Sequence, residues 1–136
     1  MSLLIVNAKV ISPGLELSGA AVLVEGSRIA RVYAAGEPLP AATETCDAGG
    51  KMLLPGFIDP HCHGGMGYET TSDDSRAVRI IAEAKLQEGV TSFCPTTLTL
   101  PEDKLAASMR NIEAYRQNPT GSKVLGTHLE GPYINP

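Results

Sequence analysis

The amino-acid sequence predicts an α/β protein, and three observations carry that reading. Short apolar stretches at residues 53–58, 90–95 and 123–129 alternate with longer amphipathic ones. Brief turns rich in Gly, Pro and Asn separate them, the rhythm of parallel βαβ units. Residues 1–54 keep a different beat, that of small strands joined by glycine turns, and so form a region of their own before residues 55–136.

In the first region, residues 3–11 are apolar and β-branched and stop at Ser12-Pro13-Gly14. Residues 20–24 and 28–33 flank Glu25-Gly26-Ser27, where glycine tolerates the positive φ of a tight hairpin. Val22, Leu23 and Val24 are consecutive apolar residues, which implies burial on both faces of that strand. Residues 35–45, with Pro38 and Pro40, read as a surface loop.

The second region opens on the strand 53–58, running into His61-Cys62-His63 and a glycine-rich loop, Gly64-Gly65-Met66-Gly67. Ser72-Asp73-Asp74 supplies an N-cap and an acidic first turn for a helix through Glu88, with Ala77, Ile81 and Ala84 on one face. Gly89 sits where a left-handed C-cap belongs. After the strand 90–95, Thr99-Leu100-Pro101-Glu102 has the form of a capping box and opens a second helix. Leu105, Met109 and Ile112 mark its buried face, Asn118-Pro119-Thr120-Gly121 stops it, and residues 123–129 form a third strand.

Composition removes several functional classes. Hydrophobic residues make up 43% and charged residues 19%, which places the chain among globular proteins. Aromatic residues are only 4% with no Trp, the net charge is −4, and no Lys/Arg cluster is visible, so nucleic acid is not an expected partner. The apolar runs are shorter than the ~18 residues of a membrane span, and the N-terminus lacks the basic region of a signal peptide. Cys46, Cys62 and Cys94 are odd in number and make no CxxC pair, which fits a reducing, cytoplasmic setting better than a disulfide or thiolate framework.

The chemistry concentrates at strand ends. His61 and His63 lie two apart, so alternation sends both to one side at the C-terminal end of the first parallel strand, where sites are built in such folds. Two neutral imidazoles there can hold a divalent metal; a packed or surface pair is an equally good reading of the pair alone. Cys62 faces the other way, as a small packed residue. Glu130, in Thr127-His128-Leu129-Glu130-Gly131-Pro132, ends the third strand at the same rim, either as a metal-binding carboxylate or as a solvated glutamate. His128 shares its parity, to orient a substrate or to make a structural hydrogen bond. Asp59 reads as a structural acceptor and Thr96 as a packing or turn residue. The glycine loop lacks a phosphate-binding spacing and reads as a plain turn.

These residues carry a resemblance. Asp47-Ala48-Gly49-Gly50 followed by Pro55-Gly56-Phe57-Ile58-Asp59-Pro60-His61-Cys62-His63-Gly64 resembles the opening motif of the amidohydrolase superfamily. Gly89-Val90-Thr91-Ser92-Phe93-Cys94-Pro95-Thr96 and Gly126-Thr127-His128-Leu129-Glu130-Gly131-Pro132-Tyr133 narrow it to the N-acetylglucosamine-6-phosphate deacetylase family within that superfamily. The resemblance covers the whole chain but only the front of that family's sequence.

It implies a (β/α)8 TIM-barrel start, of which the first three strands are present, preceded by part of a small β-sandwich-like domain. Residues 1–54 would belong to the small domain and 55–136 to the incomplete barrel. The implied metal ligands are His61, His63 and Glu130, holding zinc or iron as one or two ions. The implied reaction removes acetate from N-acetylglucosamine 6-phosphate; the alternatives are an N-acetylgalactosamine-6-phosphate deacetylase or a cyclic-amide hydrolase. The general acid/base is expected beyond Pro136, so none of the catalytic residues proper lies in this chain. The expectation is an N-terminal fragment, inactive alone, of an enzyme that is a homodimer at full length, with a small amino-sugar phosphate as its partner.

Overall fold

The computed structural model describes residues 1–133; residues 134–136, the end of the expected second region, lie outside the described residues. The chain divides into two compact units, Met1–Pro55 and Gly56–Pro136.

The first unit is a sheet. Strands β1 (Ser2–Ser12), β2 (Leu15–Glu25) and β3 (Arg28–Tyr33) form an antiparallel meander. The turns between them fall at Gly14 (φ 75°) and Gly26 (φ 60°), a backbone region that glycine enters without a Cβ penalty. Two further strands, β4 (Glu44–Asp47) and β5 (Met52–Leu53), run parallel to β1 and share its free edge, one after the other. The break between them is matched by Asn7, whose positive φ of 53° kinks β1. Asp47 Oδ1 accepts Gly49 N–H at 2.8 Å and Asn7 O accepts Gly50 N–H at 2.7 Å, so the Asp-Ala-Gly-Gly motif is the loop that rounds this kink. The expected surface loop 35–45 therefore ends earlier, because Glu44 and Thr45 already pair with Leu3 and Leu4.

Burial on both faces of β2 is observed. Leu4, Ala21, Leu23 and Tyr33 make one cluster, and Ala8, Val10, Ala20 and Val22 make another. Adjacent residues of one strand point to opposite faces, so Val22 and Leu23 serve different clusters.

The second unit is a parallel three-stranded sheet in the order β10-β9-β6. Its members are β6 (Phe57–Cys62), β9 (Val90–Pro95) and β10 (Lys123–Val124). A two-residue hairpin, β7 (Gly64–Gly65) with β8 (Tyr68–Glu69), follows β6. Helix α1 (Ala77–Gln87) then leads to β9, and α2 (Glu102–Gln117) joins β9 to β10. Cys62, Val78, Ile81, Ala82, Phe93, Ile112, Tyr115 and Val124 form the core between helices and sheet.

Four local expectations are corrected. Ser72-Asp73-Asp74 does not cap α1: the helix starts at Ala77, with no acidic residue in its first turn. Asp74 Oδ1 instead accepts Arg76 N–H at 2.9 Å and forms an ion pair with the Arg76 guanidinium, which spends the carboxylate on a turn before the helix. Thr99 does not cap α2, whose N-cap is Pro101; Thr99 lies against Gly131 instead. The third strand is paired only over Lys123–Val124, loosens around Gly126, and rejoins β9 at a single bridge between His128 and Thr96. Met109 is half-buried, and the covered face of α2 is Leu105, Ser108, Ile112 and Tyr115.

The first strand of the second unit also starts later than its hydropathy suggested. Leu53 belongs to β5 of the first unit, and Pro55-Gly56 separates the two regions. Gly89 has the expected left-handed backbone at φ 82° after α1.

Candidate metal centre

The ladder between β6 and β9 determines what His61 can reach. Asp59 pairs with Phe93 and Cys62 with Pro95, so β6 takes three steps where β9 takes two. The extra residue is a bulge, a device that re-aims side chains beside sites. Cys62 joins the helix-side core, and Asp59 reaches α1, with its Oδ2 3.1 Å from Lys85 Nζ. Both therefore lie toward the helices although they are three apart in sequence. Burial pushes the Cys62 thiol up, which leaves it a packed neutral group, as alternation predicted. The hydrogen bond from Lys85 to Asp59 raises the lysine pKa, and Asp59 Oδ1 accepts His61 N–H at 3.1 Å.

His61, His63 and Glu130 converge. Their ligand atoms form a triangle: His61 Nε2 lies 3.0 Å from His63 Nε2, and Glu130 Oε2 lies 3.1 Å and 3.0 Å from these two nitrogens. Ligand bonds of ~2.0–2.2 Å around a tetrahedral zinc-like ion place neighbouring donor atoms ~3.3–3.6 Å apart. The triangle, with sides of 3.0–3.1 Å, is tighter than that by only a few tenths of an ångström. Its hydrogen bonding agrees, because Glu130 Oε2 is buried and makes no hydrogen bond to either imidazole despite the short distances. In neutral imidazoles one Nε2–H at most bridges the two rings, so a lone pair is left facing the carboxylate oxygen. A divalent cation turns that repulsion into attraction. The three side chains are 40–46% exposed, so the group is reachable from solvent although the converging oxygen is not.

The other residues take supporting places. His128 Nδ1 lies 3.1 Å from Pro60 O, and its ring packs edge-on against His61 at 4.5 Å. It therefore contacts the His61 ring and bonds to the main chain; the group that could hold a metal ion is His61, His63 and Glu130. Thr96 is more than a turn residue: fully buried, it accepts Cys62 N–H at its hydroxyl (3.0 Å) and donates its own N–H to Cys62 O (2.7 Å). Two residues that sequence reasoning passed over, Thr70 and Thr97, do similar work. Thr70 N–H donates to His63 O at 2.8 Å, and Thr97 Oγ1 accepts Glu130 N–H at 3.1 Å. No local sequence pattern marked them, because their burial exists only in the assembled fold.

Two glycines are required by space. A Cβ at Gly64 would run into Tyr68 O across the β7–β8 hairpin, so the loop is a built turn rather than a slack one. Gly131, at φ 80°, lies against Thr99, and a side chain there would displace the residue that follows Glu130 in the chain.

Comparison with known proteins gives the chain a family. A profile of the amidohydrolase family matches residues 52–136. The chain is 42% identical over 97 residues to an N-acetylglucosamine-6-phosphate deacetylase of Rattus norvegicus, covering 69% of this chain and 24% of that protein. It is 39% identical over 106 residues to an N-acetylgalactosamine-6-phosphate deacetylase of Escherichia coli O157:H7, covering 77% and 28%. The crystal structure of an N-acetylglucosamine-6-phosphate deacetylase from Pasteurella multocida superposes with a TM-score of 0.85 at 28% identity, covering 99% of this chain and 35% of that one. The chain thus spans between a quarter and about a third of the length of these relatives. With the family profile extending over the bulged strand, both histidines and the glutamate, this chain belongs to the amidohydrolase family.

Proposed function

We propose that this chain supplies part of the metal site of a hydrolase that removes acetate from N-acetylglucosamine 6-phosphate. The observation that carries the proposal is the convergence of His61 Nε2, His63 Nε2 and Glu130 Oε2 on one ion-sized point. The similarity to deacetylases of amino-sugar phosphates supplies the substrate class. In this reading the second unit is the start of a (β/α)8 barrel and the first is part of a small β-sandwich-like domain. The cofactor is zinc or iron, as one or two ions, and the setting is a cytoplasmic homodimer. No helix among the described residues is long and apolar enough to cross a membrane.

His61, His63 and Glu130 would hold a divalent ion, which would supply Lewis acidity and activate water near neutral pH. The chain's own contribution is positional. His61 and His63 present imidazole nitrogens, Glu130 presents a carboxyl oxygen, and their half-exposure leaves an approach for the acetamide carbonyl. Asp59 holds the His61 main chain from the far side of the sheet. The group that protonates the leaving amine, and the remaining ligands, are assigned to residues outside this chain.

The test is acetate release by the full-length protein from N-acetylglucosamine 6-phosphate, with N-acetylgalactosamine 6-phosphate as the competing substrate. Removing the metal should abolish release, and adding it back should restore it. Glu130→Gln should lower metal affinity by more than ~100-fold, because losing supporting partners alone costs about 10–100-fold. Preference for the galacto epimer would move the assignment to the activity for which the Escherichia coli relative is named. Full turnover in chelator, or full metal content in Glu130→Gln, would refute the proposal.

A further inference from the structure

The three ligands sit on chain segments that ordinary ladder bonds do not fully hold. β6 is bulged between Asp59 and Cys62, and β10 ends at Val124, after which its segment pairs again only at the isolated His128–Thr96 bridge, two residues before Glu130. Each segment is instead tied by a threonine that is at most 1% exposed. Thr96 brackets Cys62, the residue between the two histidines, by its hydroxyl and by its N–H. The Thr70 N–H holds His63 O; its hydroxyl has one proton and lies 2.5 Å from Thr96 O, closer than its 3.1 Å to His63 O, so that proton links Thr70 to Thr96. Thr97 sits at the junction with the third segment. Its N–H donates to His128 O at 3.0 Å, and its Oγ1 accepts Glu130 N–H at 3.1 Å.

We propose that Thr97 is a positioning residue for the Glu130 ligand: its buried hydroxyl takes the place of the strand carbonyl that would otherwise fix the Glu130 main chain, and metal affinity depends on it. The inference rests on the metal-site reading above. The Glu130 N–H makes this bond in a part-buried setting, where an N–H left unsatisfied seeks another partner, so without the hydroxyl the Glu130 backbone shifts. A shift of a few tenths of an ångström suffices, because coordination distances tolerate only ~0.2 Å. Thr97 is not one of the three converging residues and bonds to the Glu130 main chain, so its effect passes through that main chain.

The experiment is a double-mutant cycle in the full-length protein, read as zinc dissociation constants by chelator competition and as thermal midpoints of the metal-free forms. Thr97→Val keeps the shape and removes the acceptor; it should weaken zinc binding about tenfold or more, in the range seen for supporting partners of metal ligands. Thr97→Ser restores the hydroxyl and should bring affinity back to within about threefold of the parent, given the usual context dependence of such effects. In a Glu130→Gln background, Thr97→Val should have little further effect, since the ligand it positions is already impaired. Should the valine variant not fold, Thr97→Cys against Thr97→Ser gives the same contrast, because a thiol is a weak acceptor. Equal weakening by the valine and serine variants, or an undiminished Thr97→Val effect in the Glu130→Gln background, would assign Thr97 a general packing role and overturn the proposal. Unchanged affinity in Glu130→Gln alone would remove the metal-site reading itself. Weakened affinity there with unchanged affinity in Thr97→Val would remove only this inference.

Discussion

The two units of the chain bury different chemistry. The core of Met1–Pro55 is apolar throughout, from Leu4 and Ala8 to Leu23 and Tyr33. All the buried polar residues identified, Thr70, Thr96, Thr97, Ser108 and Ser122, lie in Gly56–Pro136. Apolar burial is non-directional and stabilises by area, whereas a buried hydroxyl contributes only when its bonds are made in one geometry. The first unit is thus held together by quantity of contact, and the second spends part of its interior on fixing positions. The difference teaches where a metal centre can be built: short, bulged strands need hydroxyls to hold ligands that long ladders would hold by themselves.

The comparison breaks most readily at its two cores. Phe93→Ala, in the middle of β9, should destabilise by about 3–5 kcal/mol and Leu4→Ala, in β1, by about 2–5 kcal/mol. Only Phe93→Ala should also weaken metal binding, since Phe93 pairs with Asp59 on the strand that carries the histidines. Denaturant titration with parallel chelator competition distinguishes them. Equal loss of metal affinity in both variants would dissolve the division of labour.

A smaller effect is expected at Cys62, which lies between two ligands in sequence yet belongs to the helix-side core. Cys62→Ala should cost about 1 kcal/mol, the ordinary scale for one lost buried group, and leave metal content unchanged. Metal analysis decides it; loss of the ion would make the thiol part of the centre.

The smallest expected effect tests the turn before α1 by pH. Arg76 hydrogen bonds hold the Asp74 carboxyl down at about 2. A group with a lowered folded pKa stabilises above its unfolded value, ~3.9, and that contribution fades as pH falls toward the folded value. The thermal midpoint of Asp74→Asn should therefore lie slightly below the parent at pH 6 and meet it near pH 2. An undiminished gap at pH 2 would show that the ion pair is not its source.

Much of this was legible in one dimension. The alternation of apolar and amphipathic stretches located both helices and all three parallel strands, because periodicity reports which face is buried. Strand-end position made His61, His63 and Glu130 candidates, with a packed histidine pair and a solvated glutamate equally open, and the family resemblance implied them as a ligand set. Caps were misread at Ser72-Asp73-Asp74 and Thr99, since a short polar side chain caps a helix, closes a turn or packs on a glycine with the same local sequence.

The sequence by itself determined the order of elements and the apolar interior of the first unit, and it marked His61, His63 and Glu130 as candidate ligands. Tertiary structure alone decided that Asp59 turns toward Lys85, that Thr97 meets Glu130 across 33 residues, and that the three ligand atoms close to within 3.1 Å. The reason is physical. Propensity and periodicity act between near neighbours, whereas a bulge, a cross-strand hydroxyl and a convergent donor set exist only once distant segments have been brought into register.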